Sequence, residues 1–210
     1  MTVLPPDLDD ARRELLASVL KHVPFEGWSD AALQMAAEDL TVDIGEARLL
    51  FPNGPADMVD FYLTDGDRRM AAALADRDLS NLRVRDRVAL AVRSRIEPEL
   101  ATPEVLRRTA TWLSLPQNGI FALRAGYRTV DAMWAVVGDS SVDFNFYTKR
   151  ALLLGVHSGT VLYALGDKSP DHEDTWAFLD RRIDDVMKIQ KARGRLDDFL
   201  GQIGRSVGRR

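Results

Sequence analysis

The sequence predicts an all-α fold, and three observations carry that prediction. Apolar residues recur at spacings of three and four in one segment after another. Strict alternation of apolar and polar residues, which would mark half-buried strands, is nowhere sustained. Proline, glycine and capping side chains cut the chain into pieces of helical length. With 210 residues, 46% of them hydrophobic, the chain can bury a sizeable core. It divides into a head over 10–75, a helical body over 76–190 and a tail over 191–210.

Leu15, Leu16, Val19, Leu20 and Val23 form the first helical stripe, which Pro24 is expected to end. After Phe25-Glu26-Gly27-Trp28, Ser29 is a candidate N-cap for a helix from Asp30 to Leu40. A short helix is expected from Asp43 to Leu50, stopping at Phe51-Pro52-Asn53-Gly54. Pro55 suits a first helical turn and opens a helix that runs on through Ala75. Three short helices with an aromatic-Gly-Trp turn and a Phe-Pro-x-Gly break resemble the helix-turn-helix head of TetR-type regulators. The chemistry of this head argues against DNA. The element in the recognition position carries Asp43 and Glu46 against Arg48, and carboxylates facing phosphates are repelled. The formal net charge of −4 points the same way.

Helices are next expected from Leu82 to Ile96 and from Pro103 to Leu113. The first is basic along Arg83, Arg85, Arg87, Arg93 and Arg95, a pattern that fits a solvated face paired with neighbouring acids ahead of the alternative, a patch for anionic lipid headgroups. Leu115-Pro116-Gln117-Asn118-Gly119 breaks the chain before a central pair of helices. In the first of the pair, Ile120, Leu123, Tyr127, Val130, Trp134 and Val137 make one stripe, and Arg124, Arg128 and Asp131 lie on the adjoining face. From the helix pattern Trp134 reads as a half-buried core aromatic ahead of the alternative, an interface anchor. Gly138-Asp139-Ser140-Ser141 turns the chain into a second helix, Val142 to Leu165, in which only Asp143, Lys149 and Arg150 are charged. A helix apolar nearly all round must be covered by protein, a second subunit or an apolar ligand. Gly155 and Gly159, four apart, allow another helix or a ligand chain to come close. Ser169-Pro170 signals a further helix with Trp176, Leu179, Ile183, Val186 and Met187 inward.

The tail carries Lys191, Arg193, Arg195, Arg205, Arg209 and Arg210 against Asp197 and Asp198. Leu196, Phe199, Leu200, Ile203 and Val207 follow helical spacing, which suits an anionic membrane surface, while Gly201, Gly204 and Gly208 weaken the helix and fit a frayed tail as well. The run from Ala151 to Leu165 is too short and too polar to span a bilayer. No cysteine is present, so thiolate chemistry and disulfides are excluded. His22, His157 and His172 share no metal-ligand spacing, and no nucleophile elbow, phosphate loop or paired Glu-x-x-His set is found. The sequence therefore implies no cofactor and no enzymatic activity.

Several blocks together resemble a known family. They are Phe25-x-Gly27-Trp28-Ser29, Leu50-Phe51-Pro52-x-Gly54, Asp131-x-Met133-Trp134, Gly138-Asp139-x-x-x-Asp143-Phe144-Asn145-x-Tyr147-Thr148-x-Arg150-Ala151 and Ser169-Pro170 through Trp176-x-Phe178-Leu179-x-x-Arg182. They are similar to the ninth accessory-protein family of coenzyme Q biosynthesis, over about residues 10 to 190. The resemblance implies a TetR-like all-helical homodimer with no catalysis of its own. It would bind an isoprenoid quinone intermediate or phospholipid and work with the di-iron hydroxylase that acts late on the ubiquinone ring. It implies a partner-binding surface at Tyr127, Asp131, Trp134, Tyr147 and Arg150. It implies a lipid site on Phe144, Tyr147, Ala151, Leu154, Gly155, Ser158, Val161 and Leu162. The tail residues Leu196, Phe199, Leu200, Ile203 and Val207 would contact membrane. Three positions, Ala135, Phe146 and His157, depart from the family's usual side chains. The start of the chain lacks a presequence pattern, which suggests a bacterial form, cytoplasmic and peripheral on the inner face of the cytoplasmic membrane.

Two other classes compete: a TetR-type regulator whose cavity senses a lipid, and a lipid carrier with no enzyme partner. The regulator would bind duplex DNA with affinity that falls steeply with salt. The expected result is no such binding, and fluorescence anisotropy of labelled duplexes across an ionic-strength series checks it.

Overall fold

A computed structural model describes residues 7–138 and 145–188, and all regular structure among them is helical. Eight helices follow in order: α1 (Leu8–Glu26), α2 (Asp30–Asp39), α3 (Ile44–Leu50), α4 (Pro55–Ala75), α5 (Val84–Ile96), α6 (Pro103–Ser114), α7 (Gly119–Val137) and α8 (Asn145–Ala164). A ninth, α9, covers 173–188. No helix among the described residues is long and apolar enough to cross a membrane. The tail residues Leu196, Phe199, Leu200, Ile203 and Val207, with Phe144, lie outside the described residues.

Local chemistry sets most boundaries. Ser29 Oγ accepts from the Ala32 amide, and Asp43 accepts from Gly45. Pro55 occupies the first turn of α4. Gly138 closes α7 with φ 81°, a left-handed cap that costs glycine nothing. Most boundaries fall within two residues of expectation, and two places differ in kind. α1 runs through Pro24 to Glu26, because Pro24 sits in the last turn and Gly27, at φ 66°, supplies the true stop. After Ser169 the chain makes a one-turn 3₁₀ helix, Pro170–His172, with positive φ at Asp171 and His172, before α9 begins. Asp167 anchors that corner by accepting from the Ser169 and Thr175 amides and the Thr175 hydroxyl.

Two apolar cores are joined through α4. The first gathers α1, α2, α3 and the front of α4 around Leu15, Val19, Leu33, Phe51 and Met58, with Val105 of α6 inserted. The second gathers Met70 and Leu74 from the back of α4 with α5, α7, α8 and α9. Trp28 donates to Thr109 Oγ1 at 3.0 Å, and Arg108 donates to the Pro24 carbonyl, so α6 is tied to the head.

At the seam between the cores lies a buried ion cluster. Arg95 donates to Asp67 (2.8 Å), to Glu99 and to the Leu63 carbonyl, and Thr129 donates to the other Asp67 oxygen (3.0 Å). Burial alone would favour a neutral guanidinium, but the Glu99 and Asp67 carboxylates outweigh it and hold Arg95 charged. The guanidinium lies flat against Gly66, where a Cβ would stand 2.7 Å from its central carbon. Gly66→Ala is therefore expected to destabilise the fold by about 1–3 kcal/mol despite alanine's better helix propensity, as measured by urea unfolding.

Candidate functional site

α8 packs on α7 along one side, and a void lies on each of its flanks. The smaller, about 160 Å³, is lined by Val88, Trp134, Val137, Leu153, Val156 and Ile183 among others. The larger, about 300 Å³, opens between α6, α7 and α8. Its walls are apolar: Leu106, Leu113, Ala122, Ala125, Leu154 and Val161. Its mouth carries the exposed residues Ser114, Ser158 and Leu162. Its inner end is polar, formed by Arg95, Glu99, Thr109, Thr129 and His157. The His157 Nδ1 is buried with no hydrogen-bond partner. Burial, with the Arg95 charge nearby, pushes this imidazole down to about 3, so it is neutral at physiological pH. Tyr62 lies behind the cluster; burial and the Glu99 charge push its phenol well up, so it stays protonated.

Of the residues expected to bind lipid, Leu154, Ser158, Val161 and Leu162 meet at this cavity. Tyr147, Ala151 and Gly155 do not line it; they are exposed and run as a ridge along the outward face of α8, with Tyr147 66% exposed. Within the described residues neither glycine of α8 has a close neighbour. A Cβ on Gly155 would meet open space, and one on Gly159 would make only ordinary contact with Phe178. The close approach is at Gly126 of α7, where a Cβ would stand 2.6 Å from Leu154 Cδ1. Sequence reading passed over Gly126 and Glu99 and placed Arg95 on a solvated face, although Arg95 and Glu99 are four apart and could have been paired on that ground.

The residues expected to hold a partner fall into two groups. Asp131, with 60% of its side chain exposed, joins Arg150 of α8 at 2.6–2.7 Å. Arg150 is buried, and Tyr127 is half-buried. Trp134 is 7% exposed, and the Lys149 ammonium lies 5.7 Å from its ring centre. Its place in the second core is that of a packing aromatic. Only Asp131 and Tyr147 of the five present open side chains.

The basic face of α5 is paired. Arg83 meets Asp86, Arg85 meets Asp184 and Asp180, Arg93 meets Glu97, and Arg87 donates to the Val137 carbonyl. Arg95 is the exception to the expected solvated face, since the helix turns it into the seam. Among the described residues no group of His, Cys, Asp or Glu has the arrangement of a metal site. Gly126→Ala moves Leu154 into the cavity. Its expected effect is several-fold weaker uptake of the apolar probe N-phenyl-1-naphthylamine, read by fluorescence titration, with little change in stability.

Comparison with known proteins agrees with this architecture. The COQ9 family model matches residues 120–190, which hold α7, α8 and α9. The ubiquinone biosynthesis protein COQ9, mitochondrial, of Rattus norvegicus is 32% identical over 192 residues, covering 86% of this chain and 60% of the relative. The human protein of that name is 30% identical with 86% and 59% covered. The probable ubiquinone biosynthesis protein coq9, mitochondrial, of Dictyostelium discoideum is 28% identical with 90% and 63% covered. This chain thus spans less than two thirds of the length of these relatives. In fold it is similar to a TetR transcriptional regulator from Nitrosomonas europaea, with a TM-score of 0.66 at 17% identity over 82% of this chain and 95% of that one. A family match centred on the cavity helices, and relatives aligned across most of its length, place this chain in the COQ9 family.

Proposed function

We propose that this chain is a non-catalytic lipid-binding accessory protein of ubiquinone biosynthesis. It takes up a polyprenylated quinone intermediate and presents it to the di-iron hydroxylase that acts late on the ring. The observation that carries the reading is the half-open apolar cavity between α6, α7 and α8. Holding an apolar chain away from a bilayer costs about 0.8 kcal/mol per exposed methylene unless protein replaces the lipid. Apolar walls on α7 and α8 make that replacement, and the names of the relatives supply the pathway. The exposed ridge at Tyr147, Ala151, Gly155 and Leu162 supports a homodimer or a partner contact, since an apolar helix face left open usually meets another surface. The tail over 191–210 would rest on the membrane surface through its apolar stripe.

A second reading, a lipid-sensing TetR-type regulator, is favoured only by the fold likeness. Against it, α3 has seven residues and offers Glu46 and the 79% exposed Leu49 where a regulator needs cations.

Trp134→Ala is a poor test of the hydroxylase contact, because truncating a core tryptophan costs about 3–5 kcal/mol by itself. Tyr147→Ala and Asp131→Asn change the open surface instead. Each is expected to reduce co-purification of the hydroxylase while the lipid content, measured by mass spectrometry, is unchanged. Capture at the unmodified level by both variants would remove this surface from the reading.

A further inference from the structure

The void on the other flank of α8, about 160 Å³ between α5, α7, α8 and α9, has a chemistry of its own. Its body is apolar, formed by Val88, Val137, Leu153, Val156 and Ile183. Two of its lining residues nevertheless carry a buried N–H with no acceptor: the indole of Trp134 and the Nε of Arg87. Trp134 is itself only 7% exposed, so bulk water does not serve its donor. An N–H withdrawn from water without a replacement costs free energy. Two such donors on the lining of one void call for an acceptor inside it.

The charges decide what kind of acceptor. Arg85, Arg87 and Lys149 line the void, and none of the described residues that line it is acidic. Arg85 is answered by Asp180 and Asp184 of α9, which stand outside the lining. Arg87 meets no carboxylate among the described residues. Its Nη1 donates instead to the Val137 carbonyl, which satisfies the negative end of α7 and leaves the guanidinium charge without a counter-ion. The Lys149 ammonium, 5.7 Å from the centre of the Trp134 ring, adds to the positive field. No side chain caps the start of α5, and Val84 and Arg85 of its first turn border the same void, so the positive pole of this 13-residue helix lies there too. A cation is repelled by this set. A neutral acceptor takes the hydrogen bonds but leaves the charge unanswered. An ionised acceptor takes both, and its hydrogen bonds are about twice as strong as neutral ones.

Size and wall chemistry settle the rest of the ligand. An apolar void of about 150 Å³ takes a benzene-sized ring. Neither a long lipid nor a diphosphate suits a space this small with walls this apolar. The geometry points to a binding site for a small aromatic monocarboxylate in this void, its ring against Val88, Leu153 and Ile183 and its carboxylate accepting from the Trp134 and Arg87 N–H groups. The site lies across α8 from the larger cavity and does not depend on lipid uptake there. It also gives Trp134 a task that packing leaves unused, since a core position needs the ring but not the indole donor.

The test titrates the full chain, labelled with nitrogen-15, with three probes of one shape: benzoate, benzamide and benzylammonium. Benzoate is expected to bind about tenfold tighter than benzamide, and benzylammonium is expected not to bind. The chain has four tryptophans, and the indole N–H signal that disappears in Trp134→Phe is expected to be the one that benzoate moves most. Trp134→Phe keeps an aromatic ring and removes the donor, and it is expected to weaken benzoate about tenfold, the worth of one hydrogen bond to a charged group. Arg87→Met is expected to abolish the preference for benzoate over benzamide. No binding of benzoate, equal binding of benzoate and either other probe, or a Trp134 signal that stays in place would each overturn the site. Displacement of N-phenyl-1-naphthylamine by benzoate would overturn it as well, by putting the acid in the larger cavity. The ranking of the probes in the unmodified chain decides the matter even if a variant fails to fold.

Discussion

A single guanidinium holds this structure at its crossing point. Arg95 of α5 grips Asp67 of α4, Glu99 in the turn after α5 and the Leu63 carbonyl, while Thr129 of α7 joins through Asp67. Burying such a cluster gains little net stability over apolar packing, because desolvation consumes most of the Coulomb attraction. What it confers is position. Misplaced helices would leave charge without a partner, at a cost of about 3–5 kcal/mol, so α4, α5 and α7 have one acceptable arrangement. That arrangement sets the inner end of the cavity and divides the two apolar cores.

Much of the fold was legible because its signals are local. The cap at Ser29, Pro55 in a first turn and Gly138 in a left-handed turn act within four residues of themselves. The cavity was legible only in part. An all-round apolar α8 announced that something must cover it, and voids do flank it. Which residues face those voids depends on rotation and on neighbouring helices. Leu154 and Val161 turned inward, whereas Tyr147 and Gly155 turned out. Arg95 read as one more surface arginine, since the partner that buries it is 28 residues away in sequence. The space-making glycine was invisible for the same reason: Gly126 is defined by Leu154, a residue of another helix.

The surface beside the cavity is built differently. Asp131 and Trp134 of α7 face Arg150 and Lys149 of α8, so the two helices are cross-linked by charge and by a cation over an indole. These residues stiffen one end of the α7–α8 pair, and leave the open contact to Tyr147 and the exposed edge of Asp131. The arginines of α5 follow the same logic. Their partners on α9 and at the end of α7 hold the outer helices against the second core.

One hydroxyl connects the head to the cavity. Thr109 lines the void and accepts the Trp28 indole proton, while its own proton goes to the Val105 carbonyl. The acidic head thereby acts as a buttress: it props α6 from behind, and α6 is the wall opposite α8. A chain shortened to its cavity-forming helices would lose that prop and expose the α6 face that Val105 buries. A three-helix head of this kind thus serves the wall that it supports.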